Sequence, residues 1–91
     1  MSNGLPEAVR AAAEQRLPRE ERSQEIATLI RTATGRVTAL ASTGSEQIVP
    51  IIVGDRVVGT LDVEDERTDA FGDEDRRLFE RLAAEMRPLY D

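Results

Sequence analysis

Residues 48–65 read IVPIIVGDRVVGTLDVED. Two aliphatic runs, QIVPIIV and RVVGTLDVE, flank Gly54-Asp55. Branched aliphatics fit a pleated, half-buried surface. A glycine first in a two-residue loop fits a type II′ hairpin turn. With that turn, Val53 pairs with Arg56, Ile51 with Val58 and Val49 with Thr60. The alternation then sets Gln47 opposite Asp62, with Glu64 beyond, all on one face. The other face carries Ile48, Pro50, Ile52, Val57, Gly59, Leu61 and Val63, and is expected to lie against helices. The first face is apolar near the turn and acidic at its far end. A sheet wet on one side alternates more cleanly. A cover for the first face is therefore expected: another subunit, a ligand or the N-terminal helix. Pro50 cannot donate to a ladder, so it belongs at an edge or a bulge.

Upstream, RVTALAS (36–42) reads as a further strand, broken by TGSE. Before it lies a helix opened by Pro18, with Glu20 and Glu21 where the helix dipole favours acids. Ile26, Leu29, Ile30 and Ala33 fall at i, i+3, i+4 and i+7, a single apolar stripe. Gly35 is a natural stop. The first segment, LPEAVRAAAEQRL, has Pro6 in a helical first turn and three consecutive alanines. Its apolar face is thin, so its first residues are expected to fray. Downstream, a helix spans residues 73–90. Gly72 is its N-cap, Asp73, Glu74 and Asp75 load its first turn, and Leu78, Phe79, Leu82, Ala83 and Met86 form its buried stripe. The fold class is α+β: two N-terminal helices, a short antiparallel sheet and a C-terminal helix. Residues 1–17 form a helical segment, and residues 18–91 a minimal domain.

Composition narrows the chemistry. The chain has 91 residues and a net charge of -6, with no cysteine and no histidine. The acidic balance opposes non-specific nucleic-acid binding, which needs a basic face. Thiolate catalysis, disulfides and histidine-held zinc or haem are outside what these side chains can do. No cofactor is expected. No apolar run reaches the length of a membrane span, and no signal peptide is visible. No membrane partner is expected, and the expected location is cytoplasmic. With Phe71, Phe79 and Tyr90 the only aromatics, aliphatics supply most of the burial, at about 25 cal/mol per Å². A core of this size is marginal, which favours a homodimer.

The segment VPIIVGDRVVGTLDVEDERTDAFGDEDRRLFERLA resembles the C-terminal half of a GAF domain. The carriers are Val49-Pro50-Ile51, the Gly54-Asp55 turn, the strand from Val57 to Val63, Phe71 and the acid-opened helix. A whole GAF domain is usually much longer. Between Gly35 and Gln47 there is no room for the family's earlier strands, so the chain is a minimal member or a fragment. Within the family, Ser45-Glu46 and the acids Asp62 and Glu64 are similar to free methionine sulfoxide reductases. There such acids hold the amino acid substrate. The family's catalytic thiol would fall at Ala39 or a neighbour, so the resemblance carries over a binding surface and not the reduction. The asparagine-lysine pair of cyclic-nucleotide-binding members is replaced by DERTDAF, and the cysteine or histidine of bilin-binding members is missing.

Several residues carry two readings. Glu46, Asp62 and Glu64 are a ligand-facing acid cluster, with Thr60 beside them, or a solvated strand end that discourages edge pairing. Asp62 and Glu64 alone do not specify a metal site, and FGDED is a capping sequence before it is a calcium loop. Ser42, Thr43 and Ser45 have no base to activate them and suit turns. Arg36, Arg56 and Arg67 pair with an anion or are solvated. Gly59 admits a close neighbour. The expected function is that of a non-enzymatic GAF-like sensory or regulatory module, acting by homodimerisation or by binding a small cationic or amino-acid-like ligand. A remnant amino-acid-binding protein, a carboxylate-only enzyme and a purely structural dimerisation domain are the alternatives; the enzyme is the weakest, because no activated nucleophile or positioned base is evident. The expected ligand residues are Glu46, Thr60, Asp62 and Glu64. The expected dimer surface is Val49, Ile51, Val53 and Val58.

Overall fold

A computed structural model describes residues 4–36, 45–65 and 72–90. In chain order these form α1 (Leu5–Ala13), α2 (Arg19–Thr34), β1 (Ser45–Val53), β2 (Arg56–Asp65), α3 (Asp73–Glu85) and a 3-10 turn (Arg87–Tyr90). Among the described residues β1 and β2 form an antiparallel hairpin, and the helices pack on one side of it. The architecture is α+β, as the sequence reading expects. The strand expected over RVTALAS lies outside the described residues, apart from Arg36, and so does Phe71.

Local chemistry accounts for most element ends. Pro18 holds an extended backbone (φ -53°, ψ 146°) just before α2. Gly35 closes that helix at φ 75°, and its N–H donates to the Arg31 carbonyl at 2.9 Å. That left-handed conformation costs glycine nothing. Gly54 has φ 66° in the hairpin turn, as the primed turns require. At the start of α3 the Asp75 carboxylate accepts the Gly72 N–H at 3.1 Å. Its other oxygen accepts from Arg36 Nη1 at 2.6 Å, tying the end of α2 to the start of α3.

The last helix is shorter than its stripe implies. The α-helical ladder ends at Glu85, and the chain continues as a 3-10 turn in which Leu89 N donates to Met86 O at 3.0 Å. Pro88 is the cause. It has no N–H to give to Ala84, and its ring would clash with that carbonyl. The tighter turn still buries Leu89 and swings Tyr90 over the hairpin.

A single core joins all these elements. Ile26 and Ile30 of α2, Phe79, Leu82 and Ala83 of α3, Met86, Leu89, and Val49, Ile51, Leu61 and Val63 of the hairpin are buried together. The N-terminal helix belongs to it as well: Leu5, Val9, Ala12 and Ala13 are buried. The expected fraying of the segment's first residues falls in part outside the described residues. Alanines let α1 approach its neighbours closely, so a narrow stripe is enough. Arginines close the seams. Arg10 donates to Glu85 Oε1 at 3.0 and 3.2 Å. Arg22 Nη1 donates to the Ala13 carbonyl at 2.7 Å, near the end of α1. Arg19 Nε donates to the Leu89 carbonyl at 2.8 Å, and its guanidinium lies 4.7 Å from the centre of the Tyr90 ring. Helix ends leave carbonyls without backbone partners, and these side chains supply donors.

Candidate ligand-binding site

The site begins with the register of the hairpin. Val53 pairs with Arg56 and Ile52 with Val57, but Ile51 pairs with Gly59. Val58 is therefore an extra residue, a β-bulge. Beyond it every partner moves by one: Pro50 faces Thr60, Val49 faces Leu61, Ile48 faces Asp62, and Glu46 faces Glu64. A one-residue slip turns a whole strand over. The inner face thus carries Val49, Ile51, Leu61 and Val63, all in the core. The outer face carries Ile48, Pro50 and Ile52 with Thr60, Asp62 and Glu64.

This corrects the expected assignment of faces. Val49 and Ile51, expected on a shared dimer surface, are 4 % and 0 % exposed inside their own chain. The elements packed against β1 are α3 and the 3-10 turn. Val53 is half-buried, and Val58 is half-buried against the core at the bulge. The exposed aliphatics are instead Ile48 (57 %), Ile52 (46 %) and Val57 (64 %). The bulge was hard to foresee, but the Val57-Val58 doublet beside Gly59 is its trace in the sequence.

Gly59 has its own reason to be glycine. A Cβ there would lie 2.8 Å from Tyr90 Cζ and 3.3 Å from Cε1, inside contact distance. The expected close neighbour is thus the Tyr90 ring.

The expected ligand residues separate by depth. Thr60 is exposed, Asp62 is half-buried, and Glu64 is only 7 % exposed. All three lie on the outer face of β2. Glu46 sits opposite Glu64 in the ladder. Its side chain lies outside the described residues. Glu64 has an interaction partner of its own. Asp62 Oδ1 is shielded from water and accepts no hydrogen bond among the described residues. A buried carboxylate oxygen without a donor is costly. It is ready to accept from an ammonium, guanidinium or amide group. Among the described residues no group of three acidic side chains converges as a metal site would need. No helix there is long and apolar enough to cross a membrane.

Comparison with protein families matches residues 36–87, more than half of the chain, to the GAF domain. The chain belongs to the GAF domain family. The match takes in the hairpin and α3, and leaves α1 and α2 of this GAF protein outside it. No curated protein and no solved structure matched the chain. At a general level, membership makes it a regulatory or ligand-binding module.

Proposed function

We propose that this GAF domain binds a small molecule on the outer face of β2, through a cationic or hydrogen-bond-donating group. One observation carries the reading: Asp62 Oδ1 is buried and has no donor among the described residues. Thr60 and Glu64 flank it on the same face, so the acceptor sits in a polar row beside the aliphatics Ile48 and Pro50. A carboxylate attracts donors and cations, makes its strongest hydrogen bonds with charged ones, and repels anions. The pattern shared with free methionine sulfoxide reductases makes the ammonium of a free amino acid the first group to test. The module acts by binding and carries no catalytic step of its own, because it has neither thiol nor imidazole to supply one.

Titration calorimetry with free amino acids and simple amines tests this. The wild type is expected to bind at least one of them. Asp62→Asn is expected to weaken that binding at least about tenfold, in line with 1.5–3 kcal/mol for a charged hydrogen bond. Equal affinity in both proteins would remove Asp62 from the site. Turnover of free methionine sulfoxide with a dithiol, by pure protein, would overturn the non-catalytic reading.

A further inference from the structure

Across the hairpin from Asp62 stands Ile48, its direct partner in the antiparallel ladder. Side chains paired in this way share a face, with Cβ atoms about 4.5–5.5 Å apart. Ile48 is 57 % exposed, while Asp62 Oδ1 beside it is shielded from water. Pro50, the next outer-face residue of β1, is exposed as well. A shielded carboxylate oxygen therefore lies beside a bare aliphatic strip. Charge along the hairpin is one-sided. From Ser45 to Asp65 the only base is Arg56, which stands at the turn and pairs with Val53 rather than on the outer face. Arg87 joins Pro50 and Ile52 in lining a groove beside β1 that takes in no residue of β2.

We propose that the ligand of this face is a primary aliphatic amine without a carboxylate, its ammonium on Asp62 and its hydrocarbon chain along Ile48 and Pro50. The proposal rests on the reading of Asp62 as the ligand's acceptor, and names the class of molecule that acceptor takes. An ammonium brings Asp62 Oδ1 a charged donor, the kind that makes the strongest hydrogen bonds with carboxylates. A hydrocarbon chain laid on Ile48 removes apolar surface from water on both sides of the contact. A ligand carboxylate works against both. In an α-amino acid it is borne on the same carbon as the ammonium, so it enters the acidic row of Asp62 and Glu64. Like charges placed together are costly, and the outer face of the hairpin offers no base to offset them. Arg87 does not serve, because the groove it lines lies beside β1, and neighbouring strands are about 4.8 Å apart. An amine keeps the donor and omits the repulsion.

Titration calorimetry of the full chain with isoamylamine and with leucine compares two ligands that differ only by the carboxylate. The amine is expected to bind at least about tenfold more tightly. Along ethylamine, butylamine and hexylamine, affinity is expected to rise about two- to fourfold per methylene, for partial to full burial of each. Ile48→Ser changes an exposed position, so far-UV circular dichroism and ethylamine affinity should be unchanged, while the rise along the series flattens. Leucine binding as tightly as isoamylamine overturns the proposal. So does a series that does not rise, or a rise that Ile48→Ser leaves as steep. Asp62→Asn keeps these failures apart from failure of the site itself. If it weakens leucine and isoamylamine alike and the two bind equally to the wild type, Asp62 remains the acceptor and only the amine assignment falls. If no amine binds, or amines bind Asp62→Asn as tightly as the wild type, the site falls and the proposal with it.

Discussion

Ile51 and Ile52 are neighbours with the same side chain, and they live in different surroundings. Ile51 is fully buried beneath the helices, while Ile52 is 46 % exposed on the outer face. The difference extends along the hairpin. The inner face is aliphatic throughout and joins the common core. The outer face runs from bare aliphatics near the turn to a carboxylate row at the far end. The inner face therefore holds the domain together, and the outer face is left for recognition. The Val58 bulge separates these roles, because it decides which side of β2 points inward.

The strongest way to break this comparison is Ile51→Glu. It removes a buried side chain worth about 1.5–3 kcal/mol and forces an unpaired charge into the core, at several kcal/mol more. A domain of this size has of the order of 5–10 kcal/mol in total. The variant is expected to be largely unfolded in far-UV circular dichroism. A folded Ile51→Glu protein would mean that the inner face is not sealed.

A milder change probes the bulge and its neighbour. Gly59→Ala is expected to cost about 1–3 kcal/mol in a urea melt, because the methyl overlaps the Tyr90 ring and overpacking is destabilising. Tyr90→Ala in the same chain should recover part of that loss, a coupling of about 1 kcal/mol between touching residues. Additive losses would show that the ring does not rest on Gly59.

The smallest effect belongs to the outer face. Ile52→Glu is expected to change monomer stability by no more than about 0.5 kcal/mol, as exposed substitutions do. The melt is read at a concentration where the chain is monomeric. A loss comparable with that of Ile51→Glu would place Ile52 in a core as well.

Much of the candidate site could be read from the chain alone. Asp62 and Glu64 stood out as acids ending an aliphatic strand, and the structure sets them on one face of β2 with Thr60. Their neighbours across the ladder were misassigned. Residues 48–53 are Ile, Val, Pro, Ile, Ile and Val, so both faces of β1 look apolar. Alternation cannot choose a face when every position satisfies it.

What the amino-acid sequence determined by itself was local. Pro18 and Gly35 bound α2, and Gly54 bends the hairpin. Gly72 and Asp75 start α3, and the aliphatic spacing of α2 and α3 selects their buried sides. Each is a matter of backbone dihedrals, a nearby hydrogen bond or helical period, decided within a few residues. Tertiary structure decided the rest. Closing the helices over the hairpin selected the bulged register, because it places Leu61 and Val63 beside Val49 and Ile51 in one core. The same packing drew α1 in through its alanines and set Tyr90 over Gly59. These choices depend on which surfaces meet in space, and a period of two or of 3.6 residues carries no record of that.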